Sequence, residues 1–71
     1  MNKKFYGATC DNLHHVGTYD NLEIATSSSF RSVPIEVEAE TLIEADLKIS
    51  EICKNNRRQA IEAYKNSQQI H

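Results

Sequence analysis

The sequence predicts an α+β fold in which a three-stranded antiparallel β-meander packs against one long C-terminal α-helix. Apolar and polar residues alternate from Val33 to Ala39, which is the period of a strand with one buried face. After Glu40 the apolar spacing changes to about 3.6 residues, the period of an amphipathic helix. A chain of 71 residues has material for one small hydrophobic core.

These features indicate a single domain over residues 1–71, with the meander in 1–40, the helix in 41–68 and a frayed tail in 69–71. No apolar run approaches the length of about 18 residues that a membrane-spanning helix needs. The N-terminus lacks the apolar segment of a signal peptide. We therefore expect a cytoplasmic protein without membrane contact, in which Cys10 and Cys53 are thiols.

The first half of the meander is predicted from composition and alternation. The first strand runs from about Lys4 to Cys10, and turn-forming residues fill 11–21, with a short strand extension at 14–16 as the alternative. Alternation over Leu22–Ser27 predicts the second strand. The serines at 27–29 are typical of a tight hairpin connection to the third strand.

The third strand is predicted over Arg31–Glu40. Its inward face carries Val33 and every second residue after it. Because Pro34 has no N–H to donate to a neighbouring strand, this strand is expected at the edge of the sheet or to begin near Pro34.

The helix begins with a capping box, in which the Thr41 hydroxyl and the Glu44 carboxylate satisfy free backbone N–H groups. No Gly or Pro follows Thr41, so we predict one helix from about Leu42 to Asn66. Asn55-Asn56 is its only soft point, and a kink there is the alternative.

The apolar stripe of this helix is expected to form the core contact with the sheet, and Ile43 and Leu47 widen the stripe in its first half. The helix is about 37 Å long, whereas a seven-residue strand spans about 23 Å. The overhanging end still carries apolar side chains. We predict an oligomer interface there, formed by Cys53, Arg57, Ala60, Ile61 and Tyr64. A two-fold pairing of this helix face is the simplest closed solution, and it sets basic residues of one copy near acidic residues of the other.

The charge distribution disfavours a strongly basic nucleic-acid module, because the net charge is −2. Acidic residues concentrate before Lys54 and basic residues after it. Glu36, Glu38 and Glu40 share the solvent face of the third strand, where such a row protects a sheet edge. Alternatively the row is a partner-binding surface that mimics nucleic-acid phosphates.

Residues for metal or catalytic chemistry are sparse. Cys10, Asp11, His14 and His15 resemble part of a zinc site, but the second half of a Cys/His pattern is missing. Cys10 with either histidine is the only nucleophile–base pairing, and no Gly-rich oxyanion loop accompanies it. We expect no metal, no cofactor and no catalytic residue, and the histidines are candidates for partner binding.

The function that these features favour is a non-enzymatic protein-interaction module that acts as a homo-oligomer, most simply a homodimer. Its partners would be a second copy of itself and an unidentified protein, and its small size and acidity suit a phage-type inhibitor. The alternative is a nucleic-acid-associated factor that uses the basic helix end. A Cys/His-dependent enzyme ranks third.

Overall fold

The computed structural model describes residues 2–68. The elements in chain order are β1 (Lys3–Cys10), β2 (His14–Tyr19), α1 (Leu22–Ser28), β3 (Ile35–Ala39) and α2 (Leu42–Gln68). The three strands form one antiparallel sheet, and the long C-terminal helix packs against it. The predicted α+β class is confirmed, whereas the tail predicted for 69–71 lies outside the described residues.

The strand order is β2-β1-β3, which differs from the sequential order of a simple meander. β1 occupies the centre and pairs antiparallel with both neighbours. β2 and β3 therefore run parallel to each other on opposite sides of β1. A parallel pair cannot be joined by a tight hairpin, so the connection crosses the sheet, and α1 makes that crossing.

The strand predicted over Leu22–Ser27 is wrong, because this segment is the helix α1. The Asn21 side chain caps it by accepting a hydrogen bond from the Ile24 N–H at 3.1 Å. Ala25 is fully buried, and Ser28 and Ser29 are half-buried three and four residues later, which is the burial period of a helix. The Ser29 hydroxyl donates to the Ala25 carbonyl at 2.8 Å. The serines therefore end a helix instead of forming a hairpin.

A tight turn joins β1 to β2 where a long loop was predicted. Asp11 and Asn12 have φ angles of 55° and 61°, and the Leu13 N–H donates to the Cys10 carbonyl at 3.0 Å. Two successive positive φ angles define the primed turn that matches the twist of a hairpin. The alternative of a strand extension from His14 is the one that forms, and it continues to Tyr19.

β3 is an edge strand, as predicted, since it pairs with β1 alone among the described strands. It begins at Ile35, directly after Pro34, so the predicted start at Arg31 was too early. Arg31 has a φ of 57°, which breaks the extended backbone, and Val33 is 77% exposed. The alternation of apolar and polar residues in the sequence therefore begins before Ile35, at residues that do not pair in the sheet.

α2 begins as predicted. The Glu44 N–H donates to the Thr41 hydroxyl at 3.2 Å, and the Glu44 carboxylate accepts from the Glu40 N–H at 3.4 Å. The predicted capping box is confirmed, except that the Glu44 carboxylate accepts from the N–H of Glu40 and not from that of Thr41. One continuous helix runs through Asn55-Asn56, and residues 58–67 after it are all exposed, so the alternative of a kink that folds the last turns back onto the sheet does not form.

The core lies between α2 and one face of the sheet. Ala45, Ile49 and Cys53 of α2 are fully buried, and Phe5 packs with the first of these. A Cβ atom at Gly7 would lie 2.4 Å from Cγ2 of Ile49, so glycine is what lets α2 approach β1 this closely. α1 contacts β1 and β2 and, within residues 2–68, does not contact α2. The two helices therefore cover opposite faces of the sheet.

Candidate functional site

α2 extends beyond the end of the sheet, as its predicted length indicated. The tip of the β1–β2 hairpin reaches α2 at Asn56, whose amide donates to the Asn12 carbonyl at 3.1 Å, and at Arg57, whose guanidinium donates to the Leu13 carbonyl at 2.8 Å. Residues 58–67 are all exposed. About 16 Å of helix therefore projects past the hairpin tip, and the molecule is 51 Å long.

A groove of about 510 Å³ follows the projecting part of α2, and we call it the C-terminal groove. Ile61 is 55% exposed and Tyr64 is 64% exposed within it. Its lining comes from the hairpin tip and from one side of the helix: Leu13, Arg57, Ala60, Ile61, Tyr64 and Lys65. Four of these residues were predicted to form an oligomer interface, and they lie together in the structure: Arg57, Ala60, Ile61 and Tyr64.

A second groove of about 300 Å³ lies near the start of α2, and we call it the N-terminal groove. Ile43 is 75% exposed and Leu47 is 66% exposed. Its lining residues are Thr18, Leu42, Ile43, Asp46 and Leu47. The expectation that Ile43 and Leu47 widen the core contact is therefore wrong, because the narrow sheet covers only the side of α2 that carries Ile49.

The two grooves occupy the same side of α2. Each helix residue of the N-terminal groove has a counterpart 18 residues later in the C-terminal groove, and the pairs are Leu42 and Ala60, Ile43 and Ile61, Asp46 and Tyr64, Leu47 and Lys65. Eighteen residues make five helical turns, or about 27 Å. One helix side therefore carries two separate apolar surfaces.

A polar network fixes β2 to α2 between these grooves. The Thr18 hydroxyl donates to Oδ1 of Asp46 at 2.6 Å. Since this bond uses the only hydroxyl hydrogen of Thr18, Nε2 of His15 donates to the Thr18 hydroxyl at 2.9 Å, and Nδ1 of His15 is hydrogen-bonded to the Ser50 hydroxyl at 2.9 Å. The network therefore joins His15 and Thr18 of β2 to Asp46 and Ser50 of α2.

A β-bulge makes this network geometrically feasible. Ala8 pairs with Gly17, but Thr9 pairs with His15, which leaves Val16 as the extra residue on β2. Residues three apart on a regular strand face opposite sides, whereas the bulge turns both His15 and Thr18 toward α2. Sequence reasoning missed the network, because neither spacing nor composition marks the bulge.

The network resembles a serine–histidine pair, but its setting indicates a structural role. The His15 side chain is only 14% exposed, and Ser50 lies half-buried in the interior of α2. Both ring nitrogens bond to side chains of this chain. The network holds the hairpin against the helix, and that contact positions one wall of each groove.

The two histidines predicted to bind a partner are separated by the sheet. His15 points into the interface with α2, while the neighbouring His14 is exposed and projects from the opposite face. Cys10 lies beside Asp11, with Sγ 3.7 Å from the carboxylate. Among residues 2–68, no group of three or more His, Cys, Asp or Glu side chains is placed to hold a metal ion.

The Cys10 thiol has a raised pKa. Desolvation raises it most, the charge and hydrogen bond of Asp11 raise it further, and Arg31 opposes them. The pKa of Cys53 is raised by burial and lowered by Arg57. A nucleophilic cysteine needs a lowered pKa, so the environment of Cys10 disfavours that role.

We predict that Asp11→Asn speeds the reaction of Cys10 with a thiol reagent severalfold at pH 8. Removing the carboxylate lowers the pKa and increases the thiolate fraction, and Asn tolerates the positive φ of this turn. Stopped-flow labelling measures the rate, and Cys10→Ser identifies the signal of buried Cys53. The difference in rate between the wild type and Asp11→Asn should vanish at a pH at which Cys10 is fully ionised in both proteins. An unchanged rate at pH 8 would contradict the assigned cause.

The acidic row is shorter and less negative than predicted. Glu36 lies 3.9 Å from the Lys4 ammonium group, and Glu38 is the register partner of Lys4 on β1. Glu40 lies after β3, where its N–H bonds to Glu44. A basic side chain therefore stands among the carboxylates, and Glu40 belongs to the start of α2.

Cys53 must be removed from the predicted oligomer interface. It is 0% exposed and packs between α2 and the sheet, because its side of the helix faces the core. A second copy cannot reach it in this fold.

Comparison with known proteins gives no family assignment: no family model, curated protein or solved structure matches the chain. Within the described part of the chain, no helix combines the length and the apolar character needed to cross a membrane. The grooves along α2 are therefore interpreted from their own geometry.

Proposed function

We propose that this protein is an interaction module that forms a homodimer through the exposed side of α2. The observation that carries the proposal is the C-terminal groove, where Ile61 is 55% exposed and Tyr64 is 64% exposed on a helix end that the sheet does not reach. The sheet of the same chain does not cover this end, since α2 continues past the hairpin tip and residues 58–67 are exposed.

The energetics favour covering these side chains. Burying an exposed Ile contributes about 1.5–3 kcal/mol. A domain of this size has a thin margin of stability, because its core is small. A two-fold interface buries the same surface on both copies, so one patch supplies both halves of the contact.

The basic helix end supports a nucleic-acid-binding role less well. Arg57 donates to the Leu13 carbonyl, which ties its guanidinium to the hairpin. Arg58 and Lys65 remain exposed, with Glu62 between them in the sequence. The chain carries a net charge of −2. Binding to phosphates would weaken steeply with added salt, whereas an apolar helix interface would not.

The double variant Ile61→Asp, Tyr64→Asp tests the proposal. We expect the wild type to sediment as a dimer in the micromolar range and the variant as a monomer, because four charges would enter one apolar contact. Asn55→Asp with Asn66→Asp is the matched control, since it adds the same charges on another side of the same helix. It should remain dimeric.

Circular dichroism of both double variants shows whether the fold is retained. A folded Ile61→Asp, Tyr64→Asp variant that is as dimeric as the wild type would contradict the proposed interface. An exclusively monomeric wild type would contradict self-association itself.

A further inference from the structure

We infer that the outer edge of β2 and the N-terminal groove beside it form one docking site for an extended, basic segment of another protein. The segment adds a fourth strand to the sheet, outside β2, and places alternate apolar side chains against Ile43 and Leu47. This site lies near the start of α2, away from the C-terminal groove, and it does not depend on the proposed homodimer.

The strand β2 runs along the flank of α2 in the opposite direction. Three hydrogen bonds join the hairpin to the helix in reverse order: Leu13 to Arg57, His15 to Ser50, and Thr18 to Asp46. The stretch of strand between the first and the last of these bonds spans about 17 Å, and the matching stretch of helix also spans about 17 Å. The two axes are therefore nearly aligned, so a strand added outside β2 also follows α2.

The apolar side chains of the N-terminal groove lie just beyond β2 around the helix. Ile49 faces the central strand at Gly7. Ser50, which bonds to β2, lies about 100° around the helix axis from Ile49. Ile43 and Leu47 lie about 20° and 60° further in the same direction. A strand about 4.8 Å outside β2 is therefore next to these two exposed side chains.

The two edges of the sheet differ in their protection. On the β3 edge, the Lys48 ammonium group donates to the Glu38 carbonyl at 2.7 Å, and Pro34 directly precedes the strand. Lysine and proline are common means of blocking an edge strand. β2 reads His-His-Val-Gly-Thr-Tyr, without lysine, acidic residue or proline, and among the strands within residues 2–68 it pairs with β1 alone. Its outer edge is therefore the one open to a partner strand.

The β-bulge determines which half of β2 is suited to pairing. Val16 is the extra residue of the bulge, and a bulge interrupts the regular ladder. The regular half is residues 17–19. Thr18 of this half lines the N-terminal groove together with Ile43 and Leu47. The half of β2 that can pair therefore lies at the same level of α2 as the apolar side chains.

Charge complementarity specifies the partner segment. The exposed Asp46 lines the N-terminal groove. A cavity of about 280 Å³ adjoins this groove at the end of β2, shares Thr18 and Leu42 with it, and is lined by Asp20. In the described part of the chain, neither lining includes a lysine or an arginine. An apolar floor with an acidic rim fits a segment that carries basic residues beside its apolar ones.

The position of the acidic rim sets the position of the basic residues. Antiparallel addition is the slightly more stable form of strand pairing, and it puts the first residues of the segment beside the end of β2. Asp20 and Asp46 lie at that end. The exposed Lys54 lies farther along the same side of α2, where it disfavours a second base. The basic residues therefore belong at the N-terminal end of the segment, and apolar residues follow at every second position.

An NMR titration of the isotope-labelled protein tests the site. The probe is the acetylated and amidated peptide Lys-Lys-Val-Thr-Val-Thr-Val. We expect saturable shifts in the backbone amides of residues 17–19 and in the residues of the N-terminal groove. Ile43→Asn with Leu47→Asn should weaken binding by about tenfold, because the apolar floor is lost. Val33→Asn, at a similarly exposed position before β3, is the control and should bind as the wild type does.

Two N-methylated peptides test the main-chain pairing. Successive N–H groups of a strand point to opposite sides, so methylation of the odd-numbered or of the even-numbered residues blocks one edge of the peptide only. Strand addition predicts that one of these peptides fails to bind and that the other binds like the unmodified peptide. Equal affinities of the two methylated peptides would overturn the addition of a strand.

The remaining outcomes decide the charge and the location. Replacing both lysines of the peptide with glutamate should weaken binding severalfold, and unchanged binding would overturn the basic character assigned to the partner. No saturable shift at about 1 mM peptide, or shifts confined to the C-terminal groove, would overturn the site. The variant Ile61→Asp, Tyr64→Asp should bind the peptide as the wild type does. The docking site and the homodimer are therefore tested by separate measurements.

Discussion

Gly7→Ala is expected to lower the free energy of unfolding by about 1–3 kcal/mol, the usual cost of overpacking a core. The added methyl group would lie 2.4 Å from Cγ2 of Ile49 and 2.8 Å from its Cδ1. Ile49 is fully buried, so it cannot swing into solvent. Strand preference alone predicts the opposite sign, since glycine weakens a strand. Urea unfolding at fixed protein concentration measures the change.

Ile49→Ala supplies the control for this steric explanation. Alone it should cost about 2–5 kcal/mol through a cavity beneath the sheet. In that background Gly7→Ala should cost little or even stabilise, because the new methyl group enters the vacated space. Equal costs of Gly7→Ala in both backgrounds would show that contact with Ile49 is not the cause.

His15→Ala is expected to cost about 1–3 kcal/mol, because it removes two side-chain hydrogen bonds and leaves the half-buried Ser50 hydroxyl without its imidazole partner. His14→Ala is the matched control. It removes the neighbouring imidazole from an exposed position on the other face of β2, so it should change stability by less than about 0.5 kcal/mol.

Thermal unfolding of both histidine variants decides the point. Equal losses would contradict the assignment of His15 to a structural network. A loss confined to His15→Ala, with dimerisation retained, would show that the histidine acts within one chain.

Local signals in the sequence predicted the elements whose stabilising contacts are also local. The Thr41 cap, the long α2 and the inward face of β3 follow from hydrogen bonds and burial patterns within a few residues. Leu22–Ser27 was mistaken for a strand, because six alternating residues also fit a helix that buries Ala25. Only the contact between this segment and the sheet distinguishes the helix from a strand.

Features that depend on contacts between distant residues could not be predicted from the sequence. The central place of β1 depends on pairing between strands, and the His15 network depends on the bulge at Val16. The C-terminal groove was foreseeable, since helix length and strand length can be compared directly. The N-terminal groove was not, because the exposure of Ile43 follows from a sheet too narrow to cover that side of α2.

Sedimentation velocity of the wild-type chain over a wide concentration range tests the central claim most directly. Self-association through α2 predicts a shift from monomer to dimer in the micromolar range, with little dependence on salt, because the contact is mainly apolar. A single species with the mass of one chain, persisting to hundreds of micromolar, would contradict the account.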